Sequence, residues 1–335
     1  MNRTLGYILL LGALLSLTPG VCSARNPISD FMASIRYRRA YQHACDAHAC
    51  KQSEDYDGAI KSASKAIKAN RGYRYAYELR AVCYSHKGNF KLALADCNTA
   101  AGLKPSTSYI YTLRARVHSA LGNDMACIAD CDQAISLDPK SAYSYGLRGW
   151  VKMGQGHHET AIKDFDTSIS LQDDEGKTYF WRARALAATD NFEAALKDLE
   201  SGAALDGWNH HAYLMRARVH ADMGSIAKAI EDCDRAMAAA EDSPEPLNTK
   251  AYMLCTMPDE KWRNGTEALK LAQRALEICG ERPAHILDTL ACAYAELGRF
   301  DEAIAVQQEA VKKRPEHAVL LEHMEAFKAR RPWRE

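Results

Sequence analysis

The cysteines are the first residues in this chain to weigh for chemistry, because a thiolate can be a nucleophile, a metal ligand or half of a disulfide. Cys97, Cys131 and Cys233 stand at multiples of one spacing, and no two cysteines form a Cys-x-x-Cys pair. A free thiol at a recurrent helical position behaves as a small buried hydrophobe, so most of these cysteines are expected to be buried and unpaired. The histidine pairs His157-His158 and His210-His211 fall at helix ends, where adjacent side chains diverge, and neither is expected to form a metal site. Cys292 and His48 are expected on one face, but hundreds of residues separate them, and no nucleophile, base and orienting group share a local motif. No catalytic residue, metal or other cofactor is therefore expected, and an enzyme with a groove-located site is the lesser alternative.

Two other residue types recur more regularly. Tyrosine stands at Tyr41, Tyr75, Tyr109 and Tyr143, each 34 positions from the last. Arginine follows the same period at Arg80, Arg114, Arg148, Arg182 and Arg216, and aspartate at Asp96, Asp130, Asp164, Asp198 and Asp232. Aromatic side chains supply rigid contact area and arginine grips carboxylates in a two-pronged fork, which together suit an extended peptide. The Arg and Asp series, with constant relative spacing, is expected instead to form a structural ion-pair ladder between adjacent helices. As exposed pairs, each would contribute roughly 0 to 1 kcal/mol.

The elements that place these residues follow from the same period. Small residues recur at Ala47, Ala81, Ala115, Gly149, Ala183, Ala217 and Ala251, and again twelve and nineteen residues later, where two helices must nearly touch. Seven residues after the anchors come Gly88, Gly122, Gly156 and Gly224, marking a turn, and Pro105 and Pro139 close the second helix. One helical turn before the anchor lies an aromatic, as Tyr77, Tyr111, Tyr145, Tyr179 and Tyr213. Each unit is therefore helix, turn, helix, turn.

This pattern of aromatic, small residue, turn and second small residue resembles the tetratricopeptide repeat, with Tyr143 to Leu171 as a clear example. The resemblance implies an all-α, right-handed solenoid of about eight helix-turn-helix units over residues 39–316. An insert near 258–265 stretches the seventh unit, and residues 317–335 supply a capping helix with Leu320, Leu321, Met324 and Phe327 at helical spacing, then a basic tail. Arg takes the place of the usual Leu before the anchor, and Cys often replaces the second-helix aromatic. The segment from Arg263 through Leu287 to Phe300 is similar to terminal repeats of exported bacterial members.

In that family the first-helix face at six and three residues before the anchor and one after it resembles the concave ligand surface. Here it carries Tyr41, Tyr75, Tyr109, Tyr143, Arg116, Trp150, Phe180, Arg184 and Arg218, joined by His48, Glu78 and Asn248. Helical rotation turns the Arg80 series away from this face.

Lys plus Arg and Asp plus Glu are both 43, so no basic excess favours nucleic acid. Arg3 precedes an apolar run from Leu5 to Leu17, then Pro19-Gly20 and small residues up to Ala24. That order suits a cleaved signal peptide over residues 1–24, with residues 25–38 leading into the first helix. The run falls short of the roughly 20 apolar residues that span a bilayer. The expectation is a periplasmic or secreted scaffold without an integral membrane segment, binding a protein or peptide. A cell-envelope assembly or secretion adaptor is a more specific form of that reading.

Overall fold

The computed structural model describes residues 27–103, 107–172 and 174–334, with side chains from residue 31. The expected signal peptide and Pro105 lie outside the described residues. Seventeen α-helices and one 3₁₀ turn account for the regular structure among them. The chain divides into two compact units, residues 1–155 and 156–335.

The first unit contains α1 (Pro27–Gln52), α2 (Tyr56–Ala69), α3 (Arg74–His86), α4 (Phe90–Gly102), α5 (Ser108–Ala120), α6 (Asp124–Leu137) and α7 (Ala142–Gly154). Helices pair as antiparallel hairpins because the small anchors let backbones approach: Ala47, Ala59, Ala66, Ala81, Ala93, Ala100 and Ala115 are fully covered or nearly so. Larger side chains fill the space between successive hairpins, with Ile110, Leu113 and Val117 packed on Tyr77, Ala93 and Cys97.

The second unit contains α8 (His158–Leu171), α9 (Gly176–Ala187), α10 (Phe192–Asp206), α11 (His210–Asp222), α12 (Ile226–Ala239), α13 (Pro244–Thr256), the 3₁₀ turn Glu260–Trp262, α14 (Gly265–Cys279), α15 (Ala284–Glu296), α16 (Phe300–Lys313) and α17 (Ala318–Lys328). Leu199, Ala195 and Val219 form one cluster, and Leu254, Ala291, Phe327 and their neighbours another. The insert is short and anchored: Asn264 donates its N–H to the Leu254 carbonyl, and Arg263 reaches Glu296 on α15 at 2.9 Å. α17 lays Leu320 against Ala284, Leu287 and Ala310.

The turn seven residues after each anchor holds a left-handed residue: Gly88, Gly122, Gly156, Gly224 and Gly298 have φ between 71° and 81°. Glu54 and Asp190 occupy the same slot without being glycine, at φ 60° and 58°.

Of the ten described cysteines none is paired, and seven are buried. Cys45 is exposed, and Cys50 and Cys279 are half-buried. Cys292, expected on an open groove face, is 2 % exposed because α17 covers it. No helix among the described residues is long and apolar enough to cross a membrane.

Candidate functional site

In the first unit the four tyrosines arise at equivalent positions on α1, α3, α5 and α7. Tyr41, Tyr75, Tyr109 and Tyr143 retain 54, 40, 52 and 38 % of their surface, although each helix buries its opposite stripe. The Tyr75 hydroxyl lies 2.9 Å from His48 Nδ1, which fixes that ring against the preceding hairpin. Arg116, one residue past the α5 anchor, is exposed beside a hollow of about 210 Å³ that Ser85, His86, Phe90, Val117 and Ala120 also line. Trp150 stands on the same face of α7 but packs half-buried on Leu147 and Val151.

Glu78 is not on the open face as expected; it is buried at 5 % exposure, with Arg74 Nε 2.8 Å from its carboxylate. Burial raises its pKa above the ordinary carboxyl value, and Arg74 pulls the other way without cancelling the effect.

Four pairs of the Arg and Asp series meet as forks, each within one hairpin. Arg80 Nε and Nη2 donate to the two oxygens of Asp96 at 2.7 and 2.8 Å. Arg114 does the same to Asp130 at 2.8 and 2.6 Å, Arg182 to Asp198 at 2.7 and 2.7 Å, and Arg216 to Asp232 at 2.8 and 2.6 Å. Each guanidinium also lies over the tyrosine three residues before it, at 5.4 to 5.9 Å for Tyr77, Tyr111, Tyr145, Tyr179 and Tyr213.

The remaining nitrogen, Nη1, reaches the second helix of the preceding hairpin: Arg80 to Ser64 Oγ, Arg114 to Asn98, Arg148 to Asp132 and Arg182 to Asp166. One arginine thus joins three helices. The aspartates are not the exposed partners expected: Asp96, Asp130, Asp164 and Asp198 are 5 % exposed and Asp232 is 1 % exposed. Asp164 lies on α8 in the second unit, whereas Arg148 belongs to the first.

Three family models described as tetratricopeptide repeat match the chain, over residues 47–107 and 147–207, 108–141 and 210–243, and 284–317. This chain belongs to the tetratricopeptide-repeat family. No curated protein matches it. The structure of the Cut9–Hcn1 hetero-tetramer of the APC/C has a TM-score of 0.62 at 13 % identity, covering 89 % of this chain and 58 % of that one. Yeast Tom70 gives 0.56 at 21 % identity, with 83 % and 60 % covered. A tetratricopeptide-repeat protein of Parabacteroides merdae gives 0.54 at 13 %, with 87 % and 99 % covered. At these identities the likeness is one of fold.

Within this tetratricopeptide-repeat protein the second unit departs from the tyrosine pattern. The slot of the tyrosine ladder passes to Lys177, His211 and Glu245. Arg184 and Arg218 are exposed, but Phe180 is not an open groove residue: its ring lies against Gly202 so closely that an added methyl would meet it at 2.8 Å.

The structure also assembles two groups of metal-capable side chains that the sequence reading did not. His210 and His211 do not diverge; their ring centroids are 3.9 Å apart, and Glu245 lies 3.6 Å from His210. Asp288, Cys292 and His323 form a second, fully buried group. Asp288 and Cys292 are spaced by one helical turn, which the sequence does display, but His323 comes from the helix outside the repeat.

Proposed function

We propose that the chain is a protein-interaction scaffold whose first unit docks an extended peptide across Tyr41, Tyr75, Tyr109 and Tyr143. The observation that carries this reading is the exposure of four tyrosines at one helical position in four successive hairpins. Such rings offer one rigid anchor per hairpin along a ligand that crosses them. Arg116 adds a guanidinium fork for a carboxylate, so the preferred ligand is apolar with some acidic character. In the second unit Arg184 and Arg218 occupy the equivalent slot and are proposed as contacts of that unit's own. Export is part of the proposal, resting on the order of Arg3, the apolar run Leu5–Leu17 and the small residues ending at Ala24.

A displayed library of random peptides, selected on the full chain, supplies the probe, and titration calorimetry gives its affinity. Replacing Tyr109 and Arg116 together by alanine is expected to weaken binding at least about 30-fold, the equivalent of roughly 2 kcal/mol for a buried anchor. Unchanged affinity in the folded double variant moves the site off this face. N-terminal sequencing of the protein recovered outside the cytoplasm tests export, with residue 25 expected first.

A further inference from the structure

The second unit ends in a buried cluster that neither the repeat pattern nor peptide binding uses. Asp288 and Cys292 lie one turn apart on α15, and His323 comes from α17; the three are 7, 2 and 0 % exposed. His323 Nδ1 lies 2.7 Å from Asp288 Oδ1 and 3.8 Å from Cys292 Sγ, and the three donor atoms fall within 4.8 Å of one another. Cys255 on α13, 1 % exposed, packs in the same core cluster as Cys292 and donates its thiol to the Tyr252 carbonyl at 3.3 Å. Gln307 donates to the same Asp288 oxygen at 2.7 Å and to the Leu320 carbonyl at 2.9 Å. His323 Nε2 and Gln307 Oε1 are buried without a hydrogen-bond partner, so the polar network does not close on itself.

We infer that Asp288, Cys292 and His323 form a structural site for a divalent cation of the zinc class, completed when the Cys255 thiol turns from the Tyr252 carbonyl to become the fourth donor. Thiolate, imidazole and carboxylate are each donors that borderline-soft Zn²⁺ takes, and four of them complete a tetrahedral site. Metal–ligand bonds of about 2.0 to 2.3 Å place tetrahedral donors roughly 3.3 to 3.7 Å apart. Cys292 and His323 stand near that separation already. The His323 and Asp288 atoms must part by about half an ångström, a shift their side-chain torsions can supply.

Binding exchanges protons for metal: the cation displaces the thiol protons of Cys255 and Cys292 and the proton His323 shares with Asp288, all released to solvent. The bound ion would tie α13, α15 and α17 together, pinning the last helix to the two repeats beneath it. Trp333, whose ring centroid is 4.6 Å from that of His323, also lines a hollow of about 630 Å³ formed by α17 and the chain end. The hollow therefore comes within one side chain of the site. The exposed group of His210, His211 and Glu245 lacks sulfur, and this separates the two candidates spectroscopically.

Cobalt(II) titration of the full, metal-stripped chain under reducing conditions tests the site. One equivalent of Co²⁺ is expected to bring a thiolate-to-cobalt charge-transfer absorption with tetrahedral visible bands, displaced by Zn²⁺. Cys292→Ser and His323→Gln are each expected to abolish that absorption and to weaken Zn²⁺ binding at least about 100-fold. The double change His210→Ala and His211→Ala is expected to leave it intact. Absence of the sulfur absorption in the wild-type chain, with helical circular dichroism confirmed, overturns the site whatever the variants do. Its survival in either the Cys292 or the His323 variant overturns the assignment of ligands.

Discussion

At the scale of single residues the informative feature is that the aspartates of the Arg–Asp series are inside. Asp130 has a side chain 7 % exposed, against 23 % for Arg114. Removing one partner of a buried pair leaves an uncompensated charge, which costs far more than losing a surface pair. Arg114→Ala is expected to destabilise the protein by about 3 kcal/mol in chemical denaturation. The paired change Arg114→Leu with Asp130→Ala removes both charges, and most of that loss should return. Equal losses in the single and double variants would show that packing on Tyr111, not the ion pair, dominates.

The burial was written in the spacing. Each Asp stands three residues after one small core residue of the second helix and four before the next, on the stripe that faces inward. The ladder is structural, and the small energy of exposed pairs does not apply to it.

Glu78 gives the residue scale a dependence on pH. Its folded pKa is raised above the ordinary 4.5, so the folded state holds this proton more tightly than the unfolded chain. The stabilisation from that proton is fully present below 4.5 and is lost as pH rises through the raised value. Once pH has passed that raised value, the ionised, buried carboxylate is a net burden. Glu78→Gln is therefore expected to melt above the wild type at pH 7, with the advantage disappearing below pH 4.5. An equal melting difference at both pH values would mean that Glu78 acts only through its contact with Arg74.

At the scale of elements the helix-turn-helix unit was legible, because 34-residue recurrence of small residues has few other physical causes. The turn slot shows where the pattern relaxes. Asp190 holds φ 58°, a left-handed conformation that costs an ordinary residue roughly 1 kcal/mol or more. Asp190→Gly removes that strain but loosens the unfolded chain, so a net gain of about 0.5 kcal/mol is expected in equilibrium unfolding. A loss of stability would mean that the Asp190 side chain supports the turn. The cluster of Asp288, Cys292 and His323 was less legible for a reason of the same kind. A 34-residue period fixes relative positions only inside the repeat, and His323 sits beyond its last full unit, where docking depends on side-chain fit.

At the scale of the molecule, within each of the two units a hairpin meets mainly its sequence neighbours, so the stability of a unit is close to a sum of intrinsic hairpin energies and nearest-neighbour terms. The third contact of Arg80, Arg114 and Arg182 belongs to the second kind. Arg80, Arg114 and Arg182 each leave one hairpin to bond Ser64, Asn98 or Asp166 in the hairpin before it. Their fork to aspartate steadies a single hairpin, whereas Nη1 couples two.

In a one-dimensional chain of coupled elements, the coupling sets how far a local opening spreads before it stops. Weakening it at one boundary should let the array melt in blocks instead of together. Asn98→Ala removes the Arg114 coupling and leaves the Arg114–Asp130 fork whole. It is expected to broaden the unfolding transition and to separate hydrogen-exchange protection of α1–α4 from that of α5–α7. A transition of unchanged sharpness would assign the coupling to the apolar packing between hairpins. The row of arginines is, on this account, a row of domain-wall energies: within a unit it sets the length over which order is lost together.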